Sequence, residues 1–194
     1  FRSRSFGGNV AQYVEEIEAI DGVGAVQVYP VWDGGGTVCC SILGADFLPA
    51  SSDLVQMVQN AIDPPPGQGL GLGLAPIGAQ VTVTAPQTVP VDISATLTLA
   101  SGHELETVQQ PAQDAVSAYL LQIRKNWDVN ISSTAIAYSA EVYLARVLAA
   151  FISLDGVVNV SALTLNGIAA DMALQQTGAL QQVPVLGKVE LHGT

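Results

Sequence analysis

Apolar residues in this chain follow two rhythms, one helical and one of period two, that take turns along its length. Val10, Val14 and Ile17 recur at helical spacing after Asn9, a good cap, and predict a helix over 10–20 with Tyr13 and Ile20 flanking the stripe. Asp21-Gly22 ends it, and the Val- and aromatic-rich run 23–32 reads as a strand. Asp33-Gly34-Gly35-Gly36 is a turn and 37–43 the returning strand, which makes a β-hairpin. Ser51 or Ser52 caps a second helix, with Leu54, Val55, Val58 and Ile62 on one face.

The second half has the same alternation. A strand is expected over 79–85, an interruption over 86–90, and then 91–100. There Val91, Ile93, Ala95, Leu97 and Leu99 share one side while Asp92, Ser94, Thr96 and Thr98 take the other. Ser101-Gly102 closes that strand. A helix over about 107–127 accommodates Pro111 by placing it near the first turn. A polar connection over 128–137 leads to a long helix over 138–154. A strand over 157–165, a turn at Asn166-Gly167, a loop over 168–181 and a final strand over 183–191 complete the pattern.

Between the halves lies Asp63-Pro64-Pro65-Pro66-Gly67-Gln68-Gly69-Leu70-Gly71-Leu72-Gly73-Leu74-Ala75-Pro76. Three prolines fix φ and remove three backbone donors, so the second helix must stop near Ile62. The alternating glycines permit unusual backbone, and Leu70, Leu72 and Leu74 are expected to be buried as anchors. The segment reads as an ordered crossing over 63–78. One echo links the halves: Ile17 to Val23 and Phe151 to Val157 both read as helix end, Asp-Gly-Val, strand. Helix–Gly–strand is a common passage, so the echo is compatible with chance as well as with repetition. The expected fold class is α+β, with two small α/β-sandwich-like units, each a mostly antiparallel sheet covered by helices on one face. The expected organisation is a disordered tail over 1–8, a first domain over 9–87 that includes the crossing, and a second over 88–194.

Charge then narrows the function classes. Six Lys+Arg stand against 17 Asp+Glu, a net charge of −11, and the basic residues are scattered, with Arg2 and Arg4 in the tail. Direct nucleic-acid binding needs a basic footprint that this sequence does not supply. Charged residues make up only 12%, about half the usual share. Either some surface is covered by other protein or a large core sits beneath a Ser/Thr/Gln surface. The apolar stretch 136–154 carries Glu141 and Arg146 and predicts a buried or amphipathic helix, with no membrane span. The chain opens at Phe1 without an initiator Met, and the expectation is a partial or processed piece. Cys39 and Cys40 adjoin on a strand and point to opposite faces, so no disulfide is expected between them, and a reducing compartment is the simpler inference.

Candidate chemistry is sparse. Gly67, Gly69, Gly71 and Gly73 give G-x-G-x-G-x-G, which matches neither the dinucleotide fingerprint nor a P-loop. His103 and His192 have no partner at zinc-ligand spacing and read as solvated loop residues. Glu15, Glu16 and Glu18 mark a solvated helix face. Asn130-Ile131-Ser132 and Asn159-Val160-Ser161 match the glycosylation triplet, a very common coincidence. Tyr29, Trp32 and Phe47 flank the hairpin as core or interface anchors. No catalytic residue, metal site or cofactor is assigned, and the expectation is a protein that is not an enzyme.

Several stretches resemble the C-terminal part of the baseplate J-like family of phage tail proteins, particularly those of prophage-like elements in Gram-positive bacteria. They include Phe6-Gly7-Gly8-Asn9, Ile20-Asp21-Gly22-Val23-Gly24, Val28-Tyr29-Pro30-Val31-Trp32 with Gly34-Gly35-Gly36-Thr37-Val38, and Ile62 to Gly69 with Gly71-Leu72 and Ala75 to Ala79. Tyr138-Ser139, Leu154-Asp155-Gly156-Val157, Leu163 to Gly167 and Val183 to Gly187 follow in family order. The crossing departs from the family's shorter run by an extra Gly-Leu pair, and the family's N-terminal region is expected to lie outside this sequence.

The resemblance implies a structural component of the tail baseplate in a contractile phage or related injection particle, located in the virion tail and assembled in the host cytoplasm. It implies wedge, hub and tail-fibre-attachment proteins as partners, and self-association in a ring. The expected interface or structural positions are Tyr29, Trp32, Gly34, Gly35, Gly36, Pro64, Pro65, Pro66, Gly67, Gly69, Gly71 and Pro76. The competing reading is a soluble module that binds a small ligand or a protein without catalysis.

Overall fold

Asn9 opens the first helix because its side-chain oxygen satisfies an N–H that the missing preceding turn cannot. In the computed structural model, which describes residues 7–193, that oxygen accepts the Gln12 N–H at 2.9 Å. Of the expected tail over 1–8, residues 1–6 lie outside the described residues. The elements run α1 (Val10–Glu18), β1 (Val23–Pro30), β2 (Thr37–Gly44), α2 (Ser52–Ile62), β3 (Gln80–Thr84), β4 (Gln87–Leu99) and α3 (Leu105–Lys125). They continue with β5 (Ala140–Val142), α4 (Leu144–Ile152), β6 (Val157–Leu165), β7 (Met172–Leu174) and β8 (Gln182–Gly193). The architecture is α+β with small, mostly antiparallel sheets ordered β1-β2-β3, β6-β4-β8 and β5-β7.

Two compact units emerge from this order. The first holds the chain up to Gln87 together with Lys125–Ser139 and Gln175–Val183; the second holds Thr88–Arg124, Ala140–Leu174 and the residues from Pro184.

In the first unit β1 and β2 form the expected antiparallel hairpin, while β3 joins β2 in parallel. A parallel neighbour requires a crossover, and α2 with the Pro/Gly crossing provides it. Tyr13 and Ile17 of α1 and Val58 and Ile62 of α2 pack on Val26, Val28, Cys40, Ile42, Val81 and Val83. Tyr13 is thus a core residue and not a flank of the stripe. The opposite sheet face carries Gln27, Tyr29, Cys39 and Ser41, all buried. Tyr138 covers part of that face, its ring edge-on to Tyr29 at 5.3 Å between centroids. The adjacent cysteines therefore do lie on opposite faces.

In the second unit the alternation on β4 places Val91, Ile93, Ala95 and Leu97 inside. Val108, Ala112, Val116 and Leu120 form the buried stripe of α3. Pro111 is the seventh residue of that helix, inside it and not in the first turn. The strand also begins earlier than expected, since β4 starts at Gln87 and runs through Pro90. The long helix expected over 138–154 is instead β5 followed by the short α4. Tyr138, Ala140 and Val142 are buried and the residues between them are not, a period-two pattern that favours a strand. Leu144 begins α4 with its N–H donated to Asp171 Oδ1 at 2.7 Å. The loop expected over 168–181 contains β7, and His192 lies on β8, not in a loop.

The sequence echo has a structural counterpart. After α1, the N–H groups of Ala19, Ile20 and Val23 donate to the carbonyls of Glu15, Ile17 and Ile20. After α4, those of Ser153, Leu154 and Val157 donate to Ala149, Phe151 and Leu154 in the same order. Gly22 and Gly156 take φ of 95° and 78° at equivalent points, a region that glycine enters without strain.

Candidate interface surfaces

The crossing is held by polar groups. Asp63 is completely buried, and its carboxylate accepts the Gly69 N–H at 3.0 Å and the Val81 N–H at 2.9 Å. Residues 73–75 then run back along the end of α2. The N–H groups of Leu74 and Ala75 donate to the Ala61 and Ile62 carbonyls at 3.1 and 2.8 Å, which satisfies carbonyls that the helix end leaves open. Gly73 permits this approach, since a Cβ there would sit 2.4 Å from the Ile62 carbonyl oxygen.

Leu70, Leu72 and Leu74 are not the buried anchors expected of them. They are 64%, 68% and 46% exposed, and Ile77 is 85% exposed. With Asp63 and the helix-end carbonyls holding the backbone, the leucines are free to face outward. Pro65, Pro66 and Pro76 are exposed as well, while Pro64, Gly67 and Gly69 are half-buried and Gly71 is exposed. The result is an apolar, charge-free surface on an ordered loop.

At the hairpin tip, Gly34, Gly35 and Gly36 are all exposed. The turn is fixed by Thr37, whose hydroxyl accepts the Asp33 N–H at 3.0 Å and donates to the Gly34 carbonyl at 2.8 Å. Trp32 lies just past the end of β1 and is half-exposed. It lines a groove of about 540 Å³ with Tyr29, Pro30, Ile136, Thr177, Gly178 and Ala179. Gly178 comes so close that an added Cβ would lie 2.7 Å from the Trp32 Cβ. Phe47 is not part of this groove; the Lys125 ammonium sits over its ring at 5.7 Å.

Behind the groove is a buried polar chain. The Tyr29 hydroxyl donates to Gln27 Oε1, and Gln27 Nε2 donates to the Trp127 carbonyl at 2.6 Å. The Trp127 indole N–H donates to Gln176 Oε1 at 2.9 Å. This network fixes the groove wall from beneath. Gln27, Trp127, Ile136 and Gln176 were not among the expected positions. A buried glutamine on an otherwise apolar strand has no periodic signature, and the carbonyl its amide donates to, that of Trp127, is a hundred residues away.

Sheet edges are the other route to adhesion, through strand addition. On the outer strands of the two three-stranded sheets, several edge groups are engaged or the ladder is interrupted. On β1 the Tyr138 hydroxyl takes the Val28 N–H at 3.0 Å and donates to its carbonyl, and the same strand ends in donorless Pro30. On β3 the N–H of Val81 goes to Asp63 and that of Val83 to Gln59, while Gln59 and Gln68 both donate to the Val81 carbonyl at 3.0 Å. Register shifts interrupt β6 twice, with Ala162 at φ 51°. On β8 the Arg124 guanidinium and the Gln109 amide donate to the carbonyls of Pro184 and Val189.

Burial pushes the Cys39 thiol up to about 11 and the Cys40 thiol higher still, which leaves both poor nucleophiles. Among the described residues no group of three or more His, Cys, Asp or Glu is placed to hold a metal ion, and no helix is long and apolar enough to cross a membrane.

Comparison with known proteins assigns the chain. Residues 5–85 match the Baseplate J-like central domain and residues 91–192 the Baseplate J-like protein C-terminal domain. The chain belongs to the Baseplate J-like family. Among its relatives, the uncharacterized protein YqbT of Bacillus subtilis (strain 168) is 32% identical over 191 residues, covering 98% of this chain and 49% of that protein. The phage-like element PBSX protein XkdT of the same organism is 30% identical over 190 residues, again 98% of this chain and 49% of that protein. The chain thus spans about half the length of these relatives. A chain from the 6-fold symmetrised anti-feeding prophage (AFP) baseplate shares the fold, with a TM-score of 0.53 at 13% identity over 91% of this chain and 37% of that one.

Proposed function

We propose that this baseplate J-like chain is a structural component of the tail baseplate of a phage or phage-like particle and contributes to wedge assembly through protein–protein interfaces. The observation that carries the reading is the succession of two baseplate J-like domains along nearly the whole chain. Its partners are the neighbouring wedge, hub and tail-fibre-attachment proteins, with further copies of itself in a ring, and it reaches the tail after assembly in the host cytoplasm. The working surfaces are the hairpin tip at Gly34 to Gly36 with Tyr29 and Trp32, and the outward face of the crossing from Pro64 to Pro76. The reading assigns no catalytic step and no cofactor to the chain. Its domains are 9–87 and 88–194, and segments 125–139 and 175–183 of the second complete the packing of the first.

The test is a pull-down of the tagged, intact parent protein from induced cells that carry the phage-like element, followed by mass spectrometry. Sheath, tube, hub and fibre proteins are the expected catch. Recovery of metabolic or regulatory proteins with no tail component would refute the baseplate reading. Charge substitutions at Leu70, Leu72 and Trp32 should lower the yield of assembled particles; undiminished yield would remove those surfaces from the interface.

A further inference from the structure

Asn166-Gly167 is the only Asn-Gly pair in the chain, and such a pair carries its own chemistry. The backbone nitrogen that follows an asparagine can attack the side-chain amide, and glycine, having no Cβ, leaves that approach open. Here the pair forms the two central residues of a tight turn at the end of β6. Leu165 and Ile168 exchange N–H to carbonyl bonds of 2.9 Å in both directions, with φ at 47° for Asn166 and 78° for Gly167. Both turn residues are exposed, and nothing lies within 4 Å of where a Cβ on Gly167 would be. Neither burial nor crowding protects the pair.

The asparagine side chain is nevertheless clamped. Its Oδ1 accepts the Asp92 N–H at 2.7 Å, and its Nδ2 donates to the Pro90 carbonyl at 3.2 Å. Its own backbone N–H donates to the Asp92 carbonyl at 2.7 Å. These bonds carry the β4–β6 pairing one step beyond Ile93 and Leu165 and hold both amide atoms toward β4. Asp92 is fixed in turn by β8, its Oδ1 accepting the Lys188 N–H at 2.7 Å. Attack requires Asn166 Cγ to swing onto the Gly167 nitrogen, and the clamp opposes that swing.

We infer that Asn166 is a latent self-modification site: the fold keeps it as the amide, and opening of the β4–β6 end lets it deamidate and not close again. In the first step a bond forms between the Gly167 nitrogen and Asn166 Cγ. The Cγ–Nδ2 bond breaks, and ammonia leaves with the proton of the Gly167 N–H. Water then opens the cyclic imide on either side of its nitrogen, giving aspartate or isoaspartate. Aspartate lacks the donor to Pro90 and sets a carboxylate against that carbonyl. It does so in a cleft lined by Asp92, where the Lys188 ammonium is already paired with Glu190. Isoaspartate adds a methylene to the main chain inside a turn of two residues. Either product spoils the clamp, so a transient opening is recorded covalently.

The test incubates the full 194-residue chain at mildly alkaline pH, folded and in unfolding urea, and follows each asparagine by peptide mass spectrometry. The other asparagines, none followed by glycine, are internal standards. In urea Asn166 should convert ahead of them all. In the folded chain it should convert at least about tenfold more slowly, because reaction waits on local opening. Asn166→Asp should speed hydrogen exchange at the Asp92 N–H by about tenfold. Equal rates in folded and unfolded chain would overturn the clamp, and no conversion in urea would overturn the site. Unchanged exchange at Asp92 in the Asn166→Asp variant would overturn the one-way consequence.

Discussion

At the scale of single residues, Asp63 explains more of the first unit than any apolar side chain in the crossing. Its two backbone donors, Gly69 and Val81, have no other acceptor of comparable geometry. Asp63→Ala leaves the Val81 N–H orphaned in a dry site and takes the acceptor from the half-buried Gly69 N–H, which should cost about 2–4 kcal/mol in urea unfolding. Asp63→Asn retains one acceptor and should cost less. By contrast, Leu72→Ser on the outward face should change stability by about 0.5 kcal/mol or less. If the leucine change proved the more damaging, the polar account of the crossing would be wrong. Proline and glycine chemistry marks where the crossing begins but not which way its leucines face. That was decided by a carboxylate whose partners are six and eighteen residues away.

At the scale of elements, two substitutions separate helix chemistry from tertiary context. Pro111 is exposed inside α3, where its ring removes a helical N–H, so Pro111→Ala should raise stability by up to about 3 kcal/mol. A thermal melt reads this directly, and a loss of stability would mean that the helix is shaped around its proline. The twin glycines give a matched pair. Gly22→Ala meets only Leu54 at 3.5 Å, whereas the same Cβ at Gly156 would lie 2.1 Å from the His103 ring. Both substitutions force a side chain into positive φ, at about 1 kcal/mol, and Gly156→Ala should cost more because His103 must also move. Equal losses would show that the ring moves without cost. Elements governed by local pattern were legible from sequence: the hairpin, the Asn9 and Ser51 caps, the alternation on β4, and β6. Those governed by distant partners were not. The run from Tyr138 is apolar enough for a helix, yet its first residues form β5 against β7, and nothing near Tyr138 announces that its hydroxyl will occupy an edge at Val28. The sequence singles out Trp32 only as a core or interface candidate, while the groove it lines draws on Ile136 and Gly178, far along the chain.

At the scale of the whole molecule, the adjacent cysteines report on how self-sufficient the first domain is. Cys40 faces α1 and α2, all within residues 9–87, whereas Cys39 packs with Tyr29 and Tyr138 on the face that the later segment 125–139 completes. In the intact chain both thiols are buried, and Cys39 is held near 11 by desolvation, so both should resist alkylation at pH 8. A fragment of residues 1–87 lacks Tyr138 and Trp127. Its Cys39 should return toward the ordinary value of about 8.5 and react at the rate of an exposed thiol, while Cys40 stays protected. Cys39→Ser and Cys40→Ser variants distinguish the two sites in a timed labelling experiment. The pH dependence has a definite sign. A thiol whose pKa is raised by folding favours the folded state while it stays protonated, and stability declines as pH rises from the unfolded value toward 11. The intact chain should therefore lose stability across that window, and the fragment should lose less because its Cys39 is already exposed. If Cys39 in the fragment stayed as unreactive as in the intact chain, residues 9–87 would close that face unaided. Fast labelling of both thiols would mean that the first unit does not fold without the segments that return to it.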